Sequence, residues 1–193
     1  MEDKLQKMEL DKAIKERHSA RRFTSKKPDW RDILKALDIA RLIPLAGNIP
    51  TLKFIVVDDK EKIEKLSEAS QQDFVGTAKY IIVFCSDITN PERIYEERAK
   101  KYSAQQAGSA IQNFLLKITE LGLSTCWIGA FSDDEVKRIL QIPENIEVEA
   151  LFPIGYEMPP KSKQRVKPDL DKILYFNIWK NKYMIPLRKP EAL

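Results

Sequence analysis

The chain reads as an α+β or α/β domain, a central sheet of about four or five strands with helices packed against it. Three observations predict this. Helical and strand-like stretches alternate along the whole sequence. The run at residues 80–85 (Tyr-Ile-Ile-Val-Phe-Cys) is continuously apolar, as in a strand covered on both faces. A single long pattern keeps three- and four-residue apolar spacing for about five helical turns. With 193 residues, 43% of them hydrophobic and 32% charged, the chain is long enough and apolar enough to bury a core rather than stay disordered. No linker, repeat or low-complexity tract divides it, so residues 1–193 are expected to form one domain.

Taken in order, Leu10, Ala13 and Ile14 have helical spacing and place a helix end just before Arg17. Pro28-Asp29 is a start signal for a second helix, whose Ile33, Ala36, Leu37 and Ala40 share one face. Residues 52–57 form a β-rich run bounded by Asp58-Asp59. A charged helix with Ile63 and Leu66 inward follows, then the 80–85 strand. The long helix carries small residues in its first half (Ala104, Ala107, Gly108, Ala110), which suit either tight helix packing or the approach of a flat ligand, and it stops at Gly122. Residues 123–128 read as another buried strand. Ser132 and Glu135 make a capping box for a short helix with Val136, Ile139 and Leu140 inward. Ile146, Val148, Ala150 and Phe152 alternate with Glu147 and Glu149, as in a strand with one wet face. Beyond Pro159-Pro160 the tail is rich in lysine and proline. Its apolar cluster (Ile173, Leu174, Tyr175, Phe176, Ile178, Trp179) needs a cover, from its own chain or from a second subunit.

Charge and composition remove several function classes. The net charge of +4 comes from 33 basic and 29 acidic residues, too balanced for nucleic acid or an anionic membrane to be the main partner. No apolar run approaches the roughly 20 residues that cross a bilayer, and the N-terminus has no signal-peptide core, so a cytoplasmic location is expected. One histidine and two separated cysteines, Cys85 and Cys126, leave no metal site, and both thiols sit in strand-like apolar runs where a buried structural role is the expectation. Walker, dinucleotide-binding and nucleophile-elbow motifs are missing.

What remains is a set of four local elements. Arg17, His18, Ser19, Ala20, Arg21, Arg22 and Phe23 gather three guanidinium groups, a hydroxyl and the sole histidine in seven residues. Guanidinium pairs grip phosphate oxygens through charge-assisted hydrogen bonds, although arginines at a helix end also complement its dipole without binding anything. A second basic cluster, Lys161, Lys163, Arg165 and Lys167, lies in a proline-bounded loop that is either solvated or phosphate-directed. The turn-rich 44–50 loop (Pro44, Leu45, Ala46, Gly47, Asn48, Ile49, Pro50) combines close backbone approach with a donor and acceptor on Asn48. Finally Ile128, Gly129, Ala130 and Phe131 lead from a strand into a capped helix, a plain connection or a place where backbone amides face a flat heterocycle. A chain that grips phosphate without its own nucleophile or metal site points to cofactor-borne chemistry.

In this order the elements resemble the nitroreductase family of flavin mononucleotide (FMN) enzymes. The resemblance covers about residues 10–168. It rests on R-H-S-x-R at residues 17–21, P-x-x-G-N at 44–48 and Ala104-Gln105-Gln106-Ala107 running to Asn113-Phe114. It continues through Glu120-Leu121-Gly122-Leu123 with Trp127, Gly129-Ala130-Phe131, Pro153-Ile154-Gly155-Tyr156 and Lys163-x-Arg165. It implies a mostly antiparallel sheet and an intertwined homodimer; residues from about 169 to 193, beyond the resemblance, are expected to form a C-terminal extension whose apolar cluster packs on the partner. It implies FMN as cofactor, with the phosphate and ribityl chain held by Arg17, Ser19 and Arg21, His18 beside them, and Lys163 and Arg165 as further phosphate contacts. Pro44, Leu45, Ala46 and Asn48 would reach the flavin from the other subunit. Ile128, Gly129 and Ala130 would face the reactive nitrogen N5 of the ring, and Gln71 or Gln72 the pyrimidine edge. The implied reaction is NAD(P)H oxidation, with hydride passing through the flavin to a small electron acceptor such as a nitroaromatic or quinone. No protein side chain acts as nucleophile. A binder that holds flavin or another phosphorylated ligand without turnover, as sensor or carrier, is the second reading. The chain departs from the family's frequent G-N-x-Q-P-W in reading Gly47-Asn48-Ile49-Pro50-Thr51-Leu52.

Overall fold

The computed structural model describes residues 8–160 and 166–184. Four strands form its sheet: β1 (Leu52–Val57), β2 (Tyr80–Asp87), β3 (Ser124–Thr125) and β4 (Ile146–Gly155). Every neighbouring pair is antiparallel, in the order β1-β2-β4-β3. The helices are α1 (Leu10–Glu16), α2 (Trp30–Ala40), α3 (Lys60–Ser70), α4 (Thr89–Tyr95), α5 (Ala99–Glu120), α6 (Asp133–Leu140) and the short α7 (Leu170–Ile173).

Covering β2 on both faces makes this a three-layer domain. Residues 80–86 are buried without alternation, because neighbouring side chains serve opposite cores. Ile82 and Phe84 point into the layer built with α2 and α5, while Ile81, Val83 and Cys85 point into the layer built with α3 and α6. In the first layer the Phe84 ring meets Phe54, Phe114 and Phe152 edge-on, with centroids 4.8, 5.2 and 5.1 Å away. That geometry sets positive ring edges against negative ring faces. The helices enter where short polar side chains offer an acceptor. Asp29 caps α2 by accepting from the Arg31 amide, Asp59 caps α3 through Lys62, and Ser132 caps α6 through Glu135.

Two expectations about strands need correction. Residues 123–128 do not form one strand: only Ser124 and Thr125 pair continuously with β4, and Ile128 rejoins the sheet through a pair of 3.0 Å hydrogen bonds with Leu151. Trp127, 45% exposed, turns outward between them. Strand β4 does not have one wet face along its length, since residues 150–155 are all buried. The reason is its place between β2 and β3, with helices above and below. A bulge at Glu149, between the pairs Phe84–Ala150 and Cys85–Val148, confines the half-buried glutamates to the end that β3 does not reach.

The register gives the sheet two ends, about 24 Å apart along β2 at the usual rise per residue. One holds Tyr80, Ile154, Gly155 and Ser124; the other holds Leu52, Asp87 and Ile146. The tail at 166–184 folds on itself: Asn181 donates to the Phe176 carbonyl, Lys182 donates to the carbonyls of Asp171 and Leu174, and Tyr175 packs on Trp179. Its Leu170, Ile173, Ile178 and Trp179 remain exposed.

Candidate functional site

Helix α1 ends when Arg17 leaves helical geometry (φ −58°, ψ 121°) while its amide still bonds to the Ala13 carbonyl. The extended segment that follows is laid along the Tyr80 end of the sheet. The Ala20 amide donates to Thr125 at 3.0 Å, Phe23 forms an antiparallel bridge with Glu157, Thr24 donates to Tyr156 at 2.8 Å, and Met158 donates to Arg22 at 2.9 Å. Phe23 comes so close to β4 that a Cβ on Gly155 would stand 2.8 Å from its ring, so only glycine admits the approach. Ala20, Phe23 and Ala78 bury together with Phe74 beside them, which ties the segment to the 3-10 turn Asp73–Thr77 after α3.

Along this segment Arg17, His18 and Ser19 are half-buried, while Arg21 and Arg22 are exposed. His18 is held at both nitrogens, Nδ1 lying 2.7 Å from the Glu16 carbonyl and Nε2 2.6 Å from a Glu157 carboxylate oxygen. The Glu157 side chain is only 2% exposed. It is the residue that the sequence did not disclose. It is a lone acid among prolines, 139 positions from its partner, and no spacing rule connects the two. Arg22 donates to the Pro160 carbonyl at 2.6 Å, which joins the first basic cluster to the residue where the second begins. Lys163 and Arg165 lie outside the described residues.

The Gly129 stretch approaches from the β3 side. Ile128 is buried against Leu151, whereas Gly129 and Ala130 are exposed. The Ser132 amide donates to Ala69 at 2.9 Å, so the loop is pinned to the end of α3, next to the two glutamines. A Cβ built on Gly129 would meet only the Trp127 indole nitrogen, at 3.9 Å, leaving the backbone open on that side. The glutamines diverge. Gln71, left-handed at φ 52° as the cap of α3, lines a polar cleft between α3 and α6. Gln72 is half-buried and opens the turn that packs against Ala20 and Phe23.

Pro44, Leu45, Ala46 and Asn48 are not brought to this place. Their loop, with the 3-10 turn Ala46–Asn48, leads into β1 at the Asp87 end of the sheet. Gly47 and Asn48 both have positive φ (56° and 58°), and a side chain on Gly47 would run into the Tyr95 hydroxyl. Within one chain the sheet therefore separates this loop from residues 17–21.

The described residues hold no cluster of three His, Cys, Asp or Glu side chains suited to a metal. Burial pushes the Cys85 thiol up to about 12, so it offers no thiolate near neutral pH, and Cys126 is 3% exposed. The Tyr80 end thus carries the guanidinium-bearing 17–22 segment with the Ser19 hydroxyl, and the open backbone at Gly129 lies farther along the same edge of the sheet.

Residues 14–73 and 67–156 match the sequence model of the nitroreductase family. The chain belongs to that family. A relative in Archaeoglobus fulgidus, provisionally named NADH dehydrogenase/NAD(P)H nitroreductase, is 32% identical over 167 residues, covering 82% of this chain and 93% of its own. The FMN reductase (NADPH) of Bacillus subtilis is 26% identical over 143 residues, 66% of this chain and 57% of that protein. Among solved structures, a nitroreductase family protein of Clostridium novyi NT superposes with a TM-score of 0.72 at 28% identity, covering 92% and 98% of the two chains. The antiparallel sheet and flanking helices described above are thus the nitroreductase-family architecture. No described helix is long and apolar enough to cross a membrane.

Proposed function

We propose that this nitroreductase-family chain is an FMN-dependent oxidoreductase that draws hydride from NADH or NADPH and passes electrons to a small acceptor, such as a nitroaromatic or a quinone, at the same site. The observation that carries the reading is that the 17–23 segment and the Gly129 stretch lie along the same β3 edge of the sheet, the first at its Tyr80 end and the second beyond the Ile128–Leu151 bridge. Backbone hydrogen bonds bring the 17–23 segment to β3 and to the exit of β4, and bring the Gly129 loop to the end of α3. The names of the Archaeoglobus and Bacillus relatives support the nicotinamide and flavin parts of the reading.

The residues fit that cofactor. Arg17, Ser19 and Arg21 would hold a dianionic phosphate through charge-assisted hydrogen bonds, with Lys163 and Arg165 as further cations. Gly129 and Ala130, exposed and free of bulk, would let a flat ring lie against the backbone, and the Gln72 amide would meet its polar edge. Bound FMN supplies a two-electron centre that exchanges hydride with nicotinamide and with the acceptor. The protein's own part is to hold, orient and shield: it supplies cations for the phosphate, hydrogen-bond donors for the ring, and a surface that admits donor and acceptor in turn. Pro44, Leu45, Ala46 and Asn48, separated from residues 17–21 by the sheet, serve the same ligand only if a second copy contributes them. The reading therefore includes a homodimer.

Freshly purified protein is expected to be yellow, with a flavin spectrum that bleaches when NADH or NADPH is added without oxygen. A colourless preparation that binds no added FMN overturns the proposal. Binding without bleaching favours a flavin carrier or sensor instead. Charge-assisted contacts of this kind are worth about 1.5–3 kcal/mol, so Arg17→Ala should weaken FMN affinity by roughly ten- to a hundredfold in a fluorescence titration.

A further inference from the structure

We propose that Glu157 is a positioning residue for anion binding: acting through His18, its carboxylate clamps the stretch bearing Arg17 and Ser19 against the exit of β4. This rests on the reading of residues 17–21 as the phosphate site.

The backbone of the segment is anchored at its two sides, at Arg17 through the Ala13 carbonyl and at Ala20 through Thr125. His18, between these anchors, is held by its ring. Both ring nitrogens face oxygen acceptors, at 2.7 Å (Glu16 carbonyl) and 2.6 Å (Glu157 carboxylate). With a contact at each nitrogen, the orientation of the ring is fixed. The Glu157 side chain is 2% exposed, so the contact that holds the ring is shielded from water.

The clamp also lies close to the Arg22–Pro160 contact. Glu157 stands on the β4 exit, bridged to Phe23 and three residues before Pro160, whose carbonyl receives the Arg22 guanidinium. Arg17 and Ser19 flank His18 directly in the chain, so a shift of its ring shifts both. Gln72 and Gly129, proposed for the ring, lie on other elements and do not depend on this contact. Loss of Glu157 should therefore damage recognition of the phosphate and spare recognition of the ring.

FMN and riboflavin, which differ by the phosphate alone, separate these effects. Full-length apoprotein is titrated with each flavin by fluorescence, for the wild type, Glu157→Ala, Glu157→Gln and His18→Ala. The clamp predicts that Glu157→Ala and His18→Ala each lose about tenfold or more in FMN affinity with riboflavin affinity changed less than about twofold. Glu157→Gln, which keeps an acceptor for the ring, should retain FMN affinity within about threefold. Should Glu157→Ala fail to fold, His18→Ala, which removes a part-exposed ring, carries the test alone. Equal losses for both flavins would mean a merely structural role and overturn the clamp. So would variants that keep the wild-type preference for FMN. Wild-type protein that binds neither flavin overturns the reading of the site, and the clamp with it.

Discussion

Glu149 occupies the bulged position of β4, where burial, reinforced by the nearby Glu147 carboxylate, pushes its carboxyl above the ordinary value. A carboxyl raised in this way binds its proton more tightly in the folded chain than in the unfolded one. The folded state consequently loses stability as pH climbs from the unfolded value through the folded one. Glu149→Gln removes that dependence. In urea unfolding, the variant should gain on the wild type as pH rises above about 4, because only the wild type takes on the charge. A difference between the two proteins that does not change with pH would refute this. Single residues also show the limits of pattern reading. Arg17, Ser19 and Arg21 stood out because cations close together in a chain are visible, whereas Glu157 acquires its meaning only from a histidine 139 positions away.

Elements whose signals are local were legible almost to the residue. The β-rich run at 52–57 is β1, the start signals at Asp29 and Ser132 open α2 and α6, and Asp59, read in the sequence as a strand boundary, caps α3. Each cap satisfies an amide that has no partner within its helix. Asp59→Ala strands the Lys62 amide, now bonded at 2.9 Å, and should cost about 0.5–2 kcal/mol in urea unfolding without changing flavin affinity. A loss of flavin binding at constant stability would contradict the assignment of Asp59 as a helix cap alone. The elements misread were those decided by neighbours. Residues 123–128 have the composition of a full strand, yet the outward turn at Trp127 leaves only a two-residue β3 and one later bridge. The alternation in β4 suggested a wet face, and its inner place in the sheet buried the second half instead.

At the level of the whole molecule, two features call for a second copy. The 44–48 loop and the 17–21 segment sit at opposite ends of the sheet, and the 166–184 tail exposes Leu170, Ile173, Ile178 and Trp179, the last by 77%. Leaving that much apolar surface in water is unfavourable, and a partner protomer would cover it. Light scattering on the full chain should give twice the 22.4 kDa chain mass, and removal of residues 169–193 should raise the dimer dissociation constant by about tenfold or more. A full-length monomer at micromolar concentration would refute both the dimer and the role of the tail.

Read from one end to the other, the amino acids sufficed for helices α1, α2, α3, α5 and α6, the buried central strand, the basic cluster and the family resemblance, because all of these depend on periodicity and on neighbours close in the chain. Strand order, the bulge at Glu149 and the Glu157–His18 contact were settled by folding. They depend on which distant segments share a sheet edge, and that depends on how two apolar layers close around β2, a property of the packed chain and of no single stretch within it.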